Sequence, residues 1–160
     1  MAIRDYGELS TIFMNIIQRL LLNQTLCKLL YYNVEDPMGQ ATIANTRTLL
    51  GKEIRFIPKV GPQETTKSKI VMLWKEGEKN ADNNEITDLL FYTYVYVPFS
   101  EWIIKGDELR TFLIMSEIEE SLQGKDVDGV GRLQSLGFYL DMVTDELCAY
   151  RMEFKIDVYS

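Results

Sequence analysis

C-A-Y-R-M-E-F-K-I-D-V, residues 148–158, alternates without a break. Cys148, Tyr150, Met152, Phe154, Ile156 and Val158 fall on one side, and Ala149, Arg151, Glu153, Lys155 and Asp157 on the other. Successive strand residues point to opposite faces, so the pattern predicts a strand with one face on a core and the other in water. Just upstream, 133–142 sets Leu136, Phe138, Leu140 and Met142 against Ser135, Gly137, Tyr139 and Asp141. Only 143–147 separates the two runs, short enough to make them an antiparallel hairpin.

Working outward, 89–97 is β-branched and aromatic throughout, with Phe91, Thr93, Val95 and Val97 on one face and Leu90, Tyr92, Tyr94 and Tyr96 on the other. Such a strand is partly covered on both sides. The uninterrupted apolar run 70–74 reads as a short buried strand, and 52–58 as another, with Ile54, Phe56 and Pro58 opposed to Glu53, Arg55 and Ile57. Gly61-Pro62 then opens a loop. Between 76 and 88 the chain is acidic and poor in apolar anchors, which predicts a mobile, solvated loop; Glu76, Glu78, Lys79, Asp82 and Glu85 are its candidate docking or lumen residues.

Two segments carry helical spacing. Leu9, Ile12, Phe13, Ile16, Ile17, Leu20 and Leu21 recur at intervals of three and four, and Leu109, Phe112, Leu113, Ile118 and Leu122 do the same between Asp107 as an N-cap and Gly124 as a C-cap. A short second helix is expected around Leu26, Leu29 and Leu30, entered through Asn23 or Thr25, and one helical turn within 43–49. The order is α-β-β-β-α-β-β. This is an α+β fold: a mostly antiparallel sheet of about five strands, two main helices packed on one face, and a single domain spanning 1–160.

The chain has 160 residues, a net charge of −7 and no histidine. Without histidine, the commonest general base, the Ser-His and Cys-His nucleophile pairs and most catalytic zinc sites are excluded. Carboxylates could still work with a divalent metal. However, Glu117, Glu119 and Glu120 read as a solvated helix face, and Asp126, Asp128 and Gly129 match only the opening of a calcium loop. The glycines of 124–131 lack the Lys-Ser or Lys-Thr of a phosphate loop. No catalytic, cofactor-binding or metal residue is therefore nominated, and a metal-dependent carboxylate enzyme is the weakest of the functional classes.

Cys27 and Cys148 lie in apolar patterns and read as buried thiols, a single bridge between them being the alternative. The acidic balance opposes binding to nucleic acid, and the densest positive stretch, 52–69, is interleaved with Glu53 and Glu64. The run 12–22 is broken by Asn15, Gln18 and Arg19, and charged residues stand in the first ten, so neither a membrane span nor a secretory signal is expected. The expectation is a soluble protein made in the cytoplasm.

Two features are candidate interfaces. Tyr92, Tyr94 and Tyr96 either lie under a helix of the same chain or face a partner, since tyrosine is enriched in interfaces. Arg151, Glu153, Lys155 and Asp157, alternating in sign on what reads as an edge strand, either guard that edge or pair with a neighbour.

Several phrases carry a resemblance: L-C-K-L-L-Y-Y at 26–32 followed by Asp36-Pro37, I-P-K at 57–59, L-R-T-F-L-I-M-S-E-I at 109–118 and G-V-G-R-L at 129–133. In these and in its element order the chain resembles the tail terminators among the neck and tail-completion proteins of tailed bacteriophages. The resemblance implies a structural virion protein that forms a homo-oligomeric ring, a hexamer, in the neck. Such a ring caps the tail tube, joins it to the head connector, and lets DNA pass without specific binding. A different neck component, a head-completion, stopper or adaptor protein, is the alternative. No cofactor is implied, and no family residue is carried over individually.

Overall fold

The computed structural model describes residues 2–56 and 67–159. The predicted strand end at Ile57 and Pro58, the Gly61-Pro62 loop and the I-P-K phrase lie outside the described residues.

Helix α1, Glu8–Leu21, buries Ile12, Phe13, Ile16, Ile17, Leu20 and Leu21, six of the seven residues of the apolar stripe. Helix α2, Gln24–Tyr31, is capped by Asn23, whose side chain accepts from the Leu26 N–H at 3.0 Å. This satisfies one of the amide donors that a helix start leaves without a partner. Thr25 is therefore inside the helix. One 3-10 turn follows at Thr46–Leu49.

Strand β1, Ile54–Arg55, is only two residues long and runs parallel to β2, Lys69–Lys79, which pairs antiparallel with β3, Ile86–Pro98. After a 3-10 turn at Phe99–Glu101, β4 (Ile103–Ile104) and β5 (Glu108–Leu109) form a separate small ribbon. Helix α3, Arg110–Leu122, then leads to β6, Gly131–Val143, and β7, Leu147–Val158. The main sheet has the order β1-β2-β3-β7-β6 and is antiparallel except at β1. The fold is α+β, in nearly the expected order.

Four expectations change. First, 76–88 is not an open loop. The strands run to Lys79 and resume at Ile86, and the turn between them is closed by Asn80 N–H to Glu85 O and Asn84 N–H to Asn80 O, both 2.8 Å. Ile86 donates to Ile3 O at 2.6 Å, and Arg4 pairs with Glu85 at 3.1 Å, so the N-terminal segment holds this hairpin. The polar composition reflects strands with little covering them, which need no apolar face.

Second, Asp107 does not cap α3. It sits in the β4–β5 turn with φ +57°, and the N-cap is Leu109, which makes no side-chain capping bond. Third, β7 is interior, so the Arg151–Asp157 row is not on an edge; β6 is. Fourth, both cysteines are free and buried, which removes the disulfide alternative.

The core lies between the helices and one sheet face. Ile70, Met72, Phe91, Val95, Val97, Phe154 and Ile156 meet Ile16, Leu20, Leu29, Ile114 and Ile118 in one apolar cluster. Phe91 stacks on Phe154 at 5.3 Å and meets Phe13 edge-on at 6.0 Å. At its rim, Arg110 is buried and donates to the carbonyls of Glu101 (2.9 Å), Leu29 (2.5 Å), Tyr32 (3.0 Å) and Val34 (2.7 Å). One guanidinium thereby ties the end of α2 and its following chain to the start of α3.

Candidate interaction surface

The opposite face of the sheet has no layer above it among the described residues. Its rows follow from the register: Val71, Leu73 and Lys75 on β2, then Tyr92, Tyr94 and Tyr96 on β3, then Ala149, Arg151, Glu153 and Lys155 on β7, with Tyr139 on β6. The helices pack on the Phe91 side, so no helix among the described residues roofs the tyrosines.

Several of these side chains pack against one another. Val71, Tyr96, Leu147 and Ala149 form a second small apolar cluster, with Leu73 and Tyr94 at its margin. The rings continue as a ladder, Tyr92 to Tyr94 at 5.9 Å and Tyr94 to Tyr96 at 6.2 Å. Burial pushes the Tyr96 hydroxyl up to about 12 and raises Tyr94, and the Asp141 carboxylate nearby adds to both. The Tyr94 and Tyr96 hydroxyls are therefore neutral at physiological pH.

Two cations lie on the ladder. The Arg151 guanidinium stands 4.6 Å from the Tyr92 centroid and 5.1 Å from that of Tyr139, and Lys75 Nζ lies 5.4 Å from Tyr92. Such contacts hold a cation against the negative face of the ring by electrostatic attraction. Glu153 sits 3.8 Å from Arg151 and 4.0 Å from Lys75, and the Arg151 Nε is buried with no hydrogen-bond partner. The Tyr92 hydroxyl, followed by the Glu153 and Glu76 carboxylates, raises Lys75 above the usual lysine range. The centre of the face is thus aromatic and cationic at once, with one carboxylate inside it.

The structure brings Tyr92, Tyr94, Tyr96, Arg151 and Glu153 together. Lys155 and Asp157 lie further along β7, where Lys155 pairs with Asp157 at 2.9 Å and Asp88 at 3.6 Å. The carboxylate of Asp157, then that of Asp88, raises Lys155. Glu76, Glu78, Lys79, Asp82 and Glu85 are elsewhere, on the β2–β3 hairpin. Sequence reasoning missed Lys75 and Tyr139. Lys75 continues the Val71, Leu73 row by simple alternation, a signal hidden by ending the strand at Trp74.

No group of three His, Cys, Asp or Glu side chains that could hold a metal occurs among the described residues. At Asp126 the carboxylate accepts from the Gly129 N–H at 2.8 Å, and this bond, then the Tyr159 hydroxyl, holds it below the usual range. That is the chemistry of a tight turn. No helix among the described residues is long and apolar enough to cross a membrane.

Fold and surface together define an α+β protein with one sheet face packed under helices and the other left as an aromatic platform. A family model named YomW matches residues 23–156, and the chain belongs to this YomW family. The name is of a phage-derived, Bacillus SPbeta type and suggests a phage-associated protein. No curated protein matches the chain.

Proposed function

We propose that the chain is a structural protein of a phage particle, a tail terminator that closes into a ring on the last subunits of the tail tube and joins it to the head connector. The observation that carries this reading is the open sheet face: Tyr92, Tyr94 and Arg151, flanked by Lys75 and Tyr139, form an aromatic and cationic surface of the composition found at protein contacts. The resemblance of the sequence phrases and the phage association of the family point the same way. Such a protein acts by geometry, and the role needs no active site, cofactor or metal.

A ring of identical subunits requires a heterologous contact whose rotation closes. The open face is one half of that contact or of the contact with the tail tube. The acidic balance, −7 per chain, suits a ring through which DNA passes, because repulsion keeps a polyanion off the wall. In this reading the protein is made in the host cytoplasm and resides in the neck of the virion.

The test is electron microscopy of tail tubes mixed with the purified chain. Sixfold density at the tube end is expected. Twelvefold symmetry would make the chain a head-side connector component instead, and bare tube ends at saturating protein would remove the reading altogether.

A further inference from the structure

The edge strand β6 is half guarded and half bare. Its first residues are covered: Leu133 donates to Lys125 O and accepts from the Gly124 N–H, both at 2.9 Å, and the Ser135 N–H donates to Gln123 Oε1 at 2.5 Å. From 136 to 143 no further strand follows among the described residues, and the exposed apolar side chains concentrate here: Leu136 44%, Phe138 57%, Tyr139 49%, Leu140 59% and Val143 60%. A bare, apolar sheet edge is a template for another strand. By contrast the outer half of β2, K-E-G-E-K at 75–79, carries four charges in five residues, the usual guard, whereas 133–140 contains no Asp, Glu, Lys or Arg.

We propose that β6 pairs with the β6 strand of a second copy of this chain, antiparallel about a two-fold axis near Tyr139. The faces of the strand make it self-complementary in that register. Phe138 and Leu140 lie on the helix side, opposite Met152 and Tyr150, and each meets the other's equivalent across the axis. Tyr139 meets Tyr139 on the open side. Asp141, the one acidic residue of 136–143, is skipped by the β6–β7 register between Leu140 and Met142, and in the antiparallel arrangement the two copies of it lie on opposite sides of the axis, so no like charges face each other.

Two chains of charge −7 repel over most of their surface, and this edge is where they can approach at least cost. Leu136, Phe138, Tyr139, Leu140, Met142 and Val143, with the half-exposed Phe112 beside Tyr150, expose on the order of 700 Å² per chain. A standard stable interface takes ~800 Å² from each partner. An isologous contact closes at two copies, so it does not build the ring proposed above, and the two readings stand or fall separately.

Sedimentation equilibrium of the full chain without any partner tests the pairing. The expected species is a dimer, twice the 18.6 kDa chain mass. Phe138→Asp, at a site more than half exposed, is expected to raise the dissociation constant at least tenfold while the circular-dichroism melting curve is kept. Tyr139→Cys is expected to give a covalent dimer on mild oxidation, and the unsubstituted chain, with Cys27 and Cys148 buried, none. If Phe138→Asp fails to fold, the Tyr139→Cys cross-link decides. A monomer throughout the micromolar range overturns the proposal. So does a dimer that ignores Phe138→Asp and does not cross-link at Tyr139→Cys. A six-membered assembly insensitive to Phe138→Asp would support the ring and overturn the edge pairing.

Discussion

Arg110 is the residue on which the helix layer turns. Its guanidinium donates to four carbonyls from three stretches of chain, and burial lowers its pKa while the Glu101 carboxylate works against that. Arg110→Ala should reduce the unfolding free energy by about 3–5 kcal/mol in urea titrations, since it both opens a cavity and orphans buried acceptors. Arg110→Lys should recover only part of this, because one ammonium cannot reach four carbonyls held by a planar fork. Nothing in the sequence marked this residue: an arginine at the start of a helix reads as solvated.

Cys27 gives the protein an alkaline limit. Its thiol donates to the Leu20 and Leu21 carbonyls at 3.8 and 3.7 Å, and burial pushes it from 9.0 to about 11. A group whose folded pKa is raised stabilises fully below its unfolded value and loses that contribution as pH rises through the folded one. Stability should therefore fall from pH 9 upward, by up to about 3 kcal/mol by pH 11 from this thiol alone. Tyr96, raised from 10.0 to about 12, adds to the fall above pH 10. Urea midpoints measured from pH 6 to 10.5 should be level up to 8, there being no histidine to titrate, and then decline. Cys27→Ala should flatten the first part of that decline.

At the scale of elements, alternation was readable where a strand has a core on one side only. Strand β7 and the Phe91 face of β3 match their sequence patterns because the helices cover one side of them. The pattern failed where β2 and β3 run on with little covering either side, and polar composition then imitates a loop. Hydrogen exchange separates the two descriptions. Amides in the β2–β3 ladder around Glu78 and Thr87, and the Ile86 amide held by the Ile3 carbonyl, should exchange well below the random-coil rate, and those at 81–83 close to it.

The β6–β7 pair offers a second check. A Cβ on Gly131 would stand 2.3 Å from Asp157 O, on the partner strand itself. Gly131→Ala should cost about 1–3 kcal/mol, read as a lower melting temperature, because backbone cannot move aside without shifting the register. The tyrosine ladder was also visible as a stripe. Which side the helices would take was not, because the alternation of β3 is apolar on both faces, and only packing distinguishes the side built on Phe91 from the side built on tyrosine.

At the scale of the whole molecule, helices cover one sheet face of this phage-associated protein, and the proposed function gives the other face to a partner. Removing the Tyr92 and Tyr94 rings should matter little to the isolated chain, because both are only partly buried and lie outside the main core. It should matter greatly to assembly, where aromatic side chains at the centre of a contact contribute ~2 kcal/mol or more each. The measurement that decides is the affinity of the chain for tail tubes, compared between the unsubstituted protein and the Tyr92→Ala, Tyr94→Ala double variant. The account predicts at least tenfold weaker capping by a variant whose melting curve is nearly unchanged. A well-folded variant that caps tubes as tightly as the original would contradict it.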